Sequence, residues 1–179
     1  INGAGVIVGS IGQLPVLWDR DGQPHRIPCI SRNAFGADAD HVAAINRLGQ
    51  MVGRTADLRE NKKYVGTRPL RWDLPDGLPV ELELFSISER VHDNRGDSLA
   101  INDDGVAVGF ATRGSSSSES AALWNPGSTK AVDLQPLLQE PGNWTLRSAV
   151  AINQRGQIVC QARTSLGRDH WLLLTPSDE

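Results

Sequence analysis

The sequence predicts an all-β protein of antiparallel four-stranded blades, a β-propeller or a partial propeller with about three full blades plus a half-blade. Three observations lead to this prediction. A nine-residue motif recurs four times, a Trp-bearing segment follows three of the four copies, and no segment is typical of a helix longer than one turn. The chain has 18 Gly and 10 Pro among its 179 residues. Together they form a larger share than the about 12% of an average protein, which indicates many turns.

The recurring motif reads I-N-x-x-G-x-x-V-G. Its copies begin at Ile1, Ile45, Ile101 and Ile152, and only the last Gly of the fourth copy has changed, to Cys160. A motif that returns at fixed spacing is the signature of a repeat architecture. We therefore interpret residues 1–179 as a single repeat domain, with repeat units at about 1–44, 45–100, 101–151 and 152–179.

Each copy of the motif predicts a tight β-hairpin, because an apolar stretch leads into Asn, two free residues, Gly and a second apolar stretch. The Asn side chain can accept bonds from its own downstream backbone, and Gly tolerates the left-handed conformation of the turn. The structural positions predicted for these turns are Asn2, Gly5, Asn46, Gly49, Asn102, Gly105, Asn153 and Gly156.

A third strand is predicted to carry the Trp of each unit. The repeated residue is Trp18, Trp72 or Trp124, while Leu174 takes its place in the fourth unit, with Trp171 three residues ahead of it. An aromatic side chain at one position of every unit is expected to pack between blades; a stacking platform for sugar rings is the alternative. Gly/Pro-rich turns then lead to fourth strands, predicted around 25–27, 80–84 and 131–134.

The predicted blades each combine the fourth strand of one unit with the first three strands of the next. This grouping places blades at about 25–73, 79–125 and 130–176, with a leading hairpin at about 5–19. Open strand edges at both ends of such an array would pair with another strand. We therefore expect that the chain belongs to a larger propeller or associates through its terminal blades; a small closed four-bladed ring is the alternative.

The hairpin motif followed by a Leu-Trp-Asp/Asn segment resembles the HAF-type extracellular repeat family. The resemblance covers residues 1–176. The tripeptide His-Ala-Phe, which commonly precedes Leu-Trp in that family, is missing from all four units. The fourth unit alone has the His of that tripeptide, as His170. The resemblance implies a β-propeller-like protein outside the cell or at its surface. It implies no activity.

Composition narrows the function classes. A net charge of −3 offers no general basic surface for nucleic acid, and no apolar run reaches the roughly 18 residues of a membrane helix. We find no phosphate-binding loop, nucleophile elbow or metal-ligand spacing, so no cofactor is predicted. Two cysteines, Cys29 and Cys160, are too few for a disulfide framework, and a single bridge between them stays open.

The candidate ligand-binding residues are His41, His92, Asp93 and Trp144. Both His residues lie just before the first strand of a unit, so their segments could meet on one face of a ring. Together with Asp38 and Asp40 they would form a metal or catalytic pocket; polar loops at the rim are the alternative. Trp144 lies in a Pro-Gly loop and is the Trp best placed to contact a ligand.

From these observations we expect a non-enzymatic interaction or scaffold domain that binds a protein or carbohydrate partner through its blade loops. The alternative is a hydrolase or lyase with a polar pocket near the propeller axis, in which His41 and His92 would be the first residues to test.

Overall fold

A computed structural model describes residues 1–12, 14–30, 40–55, 58–60, 63–74, 76–86, 94–113, 116–140 and 142–177. Within these ranges the regular structure is β, apart from one 3₁₀ turn at Gln135–Leu137. The all-β prediction is therefore confirmed. The turn contains Pro136, which suits the start of such a turn but cannot continue a helix interior.

Four antiparallel sheets follow one another along the described chain, and we number them I to IV. Sheet I contains β1 (Ile7–Ile11), β2 (Leu14–Trp18) and β3 (Pro24–Arg26). Sheet II contains β4 (His41–Ile45), β5 (Met51–Arg54), β8 (Pro69–Trp72) and β9 (Val80–Glu81). Between β5 and β8 the chain forms a separate hairpin of β6 (Leu58–Glu60) and β7 (Lys63–Gly66).

The second half of the chain repeats this plan. Sheet III contains β10 (Gly96–Ile101), β11 (Ala107–Arg113), β12 (Ser116–Trp124) and β13 (Ala131–Asp133). Sheet IV contains β14 (Trp144–Ile152), β15 (Ile158–Thr164) and β16 (Asp169–Leu174). Strand order follows chain order in every sheet.

The expected grouping of strands into three blades and a half-blade is wrong. The outer strands β3, β9 and β13 pair with β2, β8 and β12 of their own repeat unit, so the sheets span 7–26, 41–81, 96–133 and 144–174. The reason is local: short turns such as residues 19–23 and 125–130 return the chain directly as an antiparallel neighbour. The outer strand therefore closes its own sheet and does not open the next one.

The sheets stack face to face in chain order, with one core cluster between each consecutive pair. The cluster between sheets I and II contains Ile27, Ile45, Met51, Leu70 and Trp72. The cluster between II and III contains Val52, Leu82, Leu84, Ile101, Ala107, Ala111, Ala122 and Trp124. The cluster between III and IV contains Val108, Ala121, Leu134, Leu146, Ala149, Ile158, Cys160 and Ala162.

Two names describe the sheet faces. The Trp face carries Trp18, Trp72, Trp124 or, in sheet IV, Leu174; their partners across the sheet are Ile7, Met51, Ala107 and Ile158. The opposite side is the far face. In each interior interface the Trp face of one sheet packs on the far face of the preceding sheet.

The last Gly of the motif is required in sheets II and III by a close approach of backbone. A Cβ atom at Gly53 or Gly109 would collide with the carbonyl oxygen of His41 or Asp97, so even Ala does not fit without a shift of the strand. Sheet IV has an additional register shift in β14, and this is the repeat in which Cys160 replaces the Gly.

Candidate functional site

The four Asn–Gly turns have the predicted geometry. The Asn46 Oδ1 atom accepts hydrogen bonds from the backbone N–H groups of Leu48 and Gln50 at 3.0 and 2.9 Å, and Asn153 does the same for Arg155 and Gln157. The turn glycines have positive φ angles of 80°, 86°, 81° and 72°, in the order Gly5, Gly49, Gly105 and Gly156. Side-chain bonds from Asn and a left-handed Gly therefore close these turns.

The same asparagines also join the repeats, which the sequence analysis did not predict. The Nδ2 group of Asn2 donates to the carbonyl of Asn46, and that of Asn46 donates to the carbonyl of Asn102, both at 2.9 Å. Asn102 donates to the carbonyl of Asn153 at 3.4 Å. We call this chain of bonds the asparagine ladder. It holds the turn ends of all four sheets together.

An open cavity of about 250 Å³ lies among these turns and is lined by residues from all four repeats. Its polar rim is largely paired: the backbone N–H of Arg47 donates to Asp103, and the N–H of Asp103 donates to Gln154, each at 2.8 Å. The Arg47 Nε atom lies 3.4 Å from an Asp103 oxygen. Arg47 and Asp103 are the charged side chains among the described lining residues.

Replacing Asn46 by Ala is expected to lower the free energy of unfolding by about 1–3 kcal/mol, because a buried carbonyl and two turn N–H groups lose their partner. Asn153→Ala is the matched control. Both residues make the same local bonds and donate to a Gln four residues on, but only Asn46 also donates across to the next repeat. Urea denaturation should show the larger loss for Asn46→Ala; equal losses would contradict a role for the ladder.

Two of the three Trp residues of the column, Trp72 and Trp124, pack between sheets. Trp72 and Trp124 are fully buried. Their indole N–H groups reach across the interface to the preceding sheet's outer connection: Trp72 donates to the carbonyl of Pro28 at 2.8 Å, and Trp124 to that of Glu83 at 3.1 Å. These two side chains therefore bind sheet II to sheet I and sheet III to sheet II.

The pocket predicted around His41 is only partly within the described residues. Asp38, His92 and Asp93 lie outside them, so the convergence of the two His segments stays a prediction. His41 is exposed at the start of β4. Asp40 is 1% exposed, and its carboxylate accepts the backbone N–H of Ile30 at 2.8 Å, so it has a structural role in the connection between sheets I and II. Among the described residues, no group of three His, Cys, Asp or Glu side chains is placed to hold a metal.

Trp144 is the first residue of β14, where its carbonyl accepts the Gln135 side-chain amide at 3.1 Å. Its ring is half-buried against the core cluster between sheets III and IV. It also meets the His170 ring edge to face, with centroids 4.9 Å apart. Trp144 is therefore largely engaged in packing.

Cys29 and Cys160 are not joined by a disulfide bond. Cys160 is buried between sheets III and IV, and burial raises the pKa of its thiol to about 12. It stays protonated and acts as a small apolar side chain there.

The far face of sheet IV exposes apolar side chains at positions that the other sheets bury. The residue three before the Trp position is Pro15, Pro69 or Ala121 in sheets I to III, and all three are buried. Its counterpart in sheet IV, Trp171, is 64% exposed, and Leu173, just before the Trp position, is 62% exposed. The sequence did show that Trp171 lies outside the Trp column, which was the available signal.

The Trp face of sheet I is the second open surface. Ile7 and Ile11 are 44% and 57% exposed, although the counterparts of Ile7 in the other sheets are buried. The ring of Trp18 lies close to Gly9 of its own sheet. Unlike Trp72 and Trp124, Trp18 has no indole hydrogen bond within the described part of the chain. Among the described residues, no core cluster joins sheet IV to sheet I.

Two polar residues between sheets II and III, the buried Ser98 and the partly buried Asp97, were not predicted. The Ser98 hydroxyl lies 2.6 and 2.7 Å from the carbonyls of Gly53 and Leu70 and accepts the N–H of Gly53 at 3.0 Å. The neighbouring carboxylate of Asp97 lies 3.2 Å from Arg54 Nε, while its Oδ1 atom is buried without a partner. Burial raises the pKa of Asp97 to about 7, although Arg54 acts to lower it.

A comparison of the chain with protein-family models, with curated proteins and with solved structures found no match. The described residues include no helix that is long and apolar enough to cross a membrane.

Proposed function

We propose that the chain is a non-enzymatic interaction or scaffold domain, that its four sheets are the blades of an open β-propeller, and that it assembles with a second copy through its two terminal sheets. The Trp face of sheet I would stack on the far face of sheet IV of the next copy. The HAF-type resemblance of the repeat supports a location outside the cell or at its surface, which forms part of the proposal.

One observation carries this proposal: the two open faces are the two halves of an interface that the chain already uses three times. Val8, Val52 and Val108 occupy one far-face position in sheets I to III, and each packs against the following sheet. Val159 holds that position in sheet IV, beside the exposed Trp171 and Leu173. Large exposed apolar patches mark interaction sites. The interior interfaces indicate which surface would cover this patch, namely the Trp face of another sheet.

The contact would be heterologous, since different faces of the two copies meet. Such contacts produce rings when the rotation closes and open chains when it does not. In the assembled state Trp18 would find a carbonyl acceptor on the partner sheet, as Trp72 and Trp124 do within the chain.

The test uses two variants that each block one face. Ile7→Lys places a charge on the Trp face of sheet I, and Leu173→Lys places one on the far face of sheet IV. We expect the wild-type protein to show a mass that rises with concentration in light scattering, whereas each variant alone stays monomeric. An equimolar mixture should form a 1:1 dimer, because one open face of each kind remains.

Leu166→Lys is the control, since Leu166 is 81% exposed in the turn between β15 and β16 and lies outside both faces. It should associate like the wild type. A monomeric wild-type protein at every concentration, or a mixture that stays monomeric, would overturn the proposed assembly.

A further inference from the structure

The outer edge of β16 in sheet IV corresponds to the edge of β2, β8 and β12 in the other three sheets, where one further strand is bound. β2, β8 and β12 each pair with a short outer strand, whereas β16 pairs only with β15 within the described chain. We propose that this edge binds an extended segment of a partner polypeptide, in which a polar residue is followed by Ile or Leu. This site uses the backbone edge of β16, whereas the stacking of copies uses the far face of sheet IV; the two share the side chain of Trp171.

The three outer strands define how such a segment would bind. Each is followed at once by a buried aliphatic residue: Ile27 and Leu82 are 1% exposed and Leu134 is 4% exposed. Their backbone N–H groups donate to the carbonyls of Pro15, Pro69 and Ala121, at 3.2, 2.8 and 3.2 Å. The acceptor is always the residue three before the Trp position, and in sheet IV that residue is Trp171.

The backbone of β16 is oriented to accept this strand. In an antiparallel ladder the N–H and C=O of one residue point to the same side, and residues two apart share that side. Since the carbonyl equivalent to that of Trp171 points outward in the other sheets, the N–H and C=O of Leu173 also point to the open edge. Unpaired edge groups of this kind are the template for strand addition.

The side chains beside the edge fit an aliphatic residue. In sheet III, Leu134 packs in one cluster with Val108 and Ala121 of the far face. The counterparts in sheet IV are Val159 and Trp171, and Trp171 is largely exposed. An Ile or Leu on the incoming segment would therefore cover apolar surface that is now in water.

The charged residue before each aliphatic residue is Arg26, Glu81 or Asp133. Both charge signs occur at this position, so a polar side chain is compatible with it and the sign of its charge is not selected. A second copy of the chain is a poor donor, because its three outer strands are already paired in their own sheets. The first observation sets the residue types of the segment, and the second argues against the outer strands of a second copy as its source.

The probe is a fluorescent peptide with the sequence of residues 128–138 of this chain, which includes β13 and Leu134. We expect saturable binding to the whole protein by fluorescence anisotropy. The same peptide with Leu134→Asp should bind at least about tenfold more weakly, a difference of about 1.4 kcal/mol. Equal affinity of the two peptides, or no saturation up to about 1 mM, would overturn the proposal.

Two protein variants locate the peptide on β16. Leu173→Pro removes the outward N–H of this strand, and Leu173→Ala removes the same side chain but keeps that N–H. Binding at least about tenfold weaker to the Pro variant than to the Ala variant is expected, and equal binding would place the peptide elsewhere and contradict the proposal. If the Pro variant does not fold, the comparison of the peptide of residues 128–138 with its Leu134→Asp form still tests the proposal. Peptide binding and the 1:1 mixing of face variants can fail separately, because the mixing test reads association between copies.

Discussion

We expect Trp124→Ala to lower the free energy of unfolding by about 3–5 kcal/mol, the range found when a buried aromatic side chain is removed from a core. Trp124 has no exposed surface and contacts the cluster that joins sheets II and III. The substitution also leaves the carbonyl of Glu83 without the indole N–H that reaches it at 3.1 Å. Urea denaturation followed by circular dichroism measures the effect.

Trp171→Ala is the matched control, because it removes the same side chain from a site that is 64% exposed. Its cost should stay within about 0.5 kcal/mol, as for surface substitutions in general. Trp124→Phe keeps most of the buried volume but not the N–H, so it should cost less than Trp124→Ala. Similar losses at Trp124 and Trp171 would contradict the assignment of the Trp column to packing between sheets.

The sequence predicted the local features of the fold because they depend on neighbouring residues. The Asn–Gly turns are closed by bonds between residues two and four apart, as for Asn46 with Leu48 and Gln50. Periodicity also located the outer strands near 25, 80 and 131, although it assigned them to the wrong sheets. β3 could pair with β2 of its own unit, through a five-residue turn, or with a strand of the next unit, through a longer connection. The motif contains no information on which of the two pairings forms.

Contacts between repeats could not be predicted, since they join residues far apart in the chain. The ladder bond from Asn46 to Asn102 spans 56 positions, and the bond from Ser98 to Gly53 spans 45. The exposure of Trp171 likewise depends on whether another sheet covers sheet IV. The tripeptide Arg95-Gly96-Asp97 matches a cell-adhesion sequence by residue type alone. In the fold its last two residues begin β10, and Gly96 is buried.

The largest pH effect is expected at Asp97. Its pKa is about 7 in the folded protein, against 3.8 for an ordinary Asp, and the main cause is burial. The folded state therefore holds this proton more tightly than the unfolded state does. Stability is greatest below the unfolded pKa and falls as the pH rises from about 4 through 7, by roughly 4 kcal/mol in all, since each tenfold difference in proton affinity is worth about 1.4 kcal/mol.

Asp97→Asn should remove this dependence, because the amide resembles the protonated carboxyl and still offers an oxygen to Arg54. We expect the variant to match the wild type near pH 4 and to be more stable by roughly 4 kcal/mol at pH 8, measured as the free energy of unfolding in urea at both pH values. Asp169→Asn is the control: Asp169 also pairs with an Arg Nε, at 3.3 Å, but is 55% exposed.

That exposed pair should change stability by less than about 1 kcal/mol at either pH. An Asp97→Asn variant that is less stable than the wild type at pH 8 would mean that the attraction to Arg54 outweighs the cost of burying the charge. Because Arg54 belongs to β5 and Asp97 to β10, the pair lies between sheets II and III. The cost of its ionisation therefore falls on the same sheet-to-sheet packing that Trp124 stabilises, and a rise of the pH through about 7 should weaken that interface.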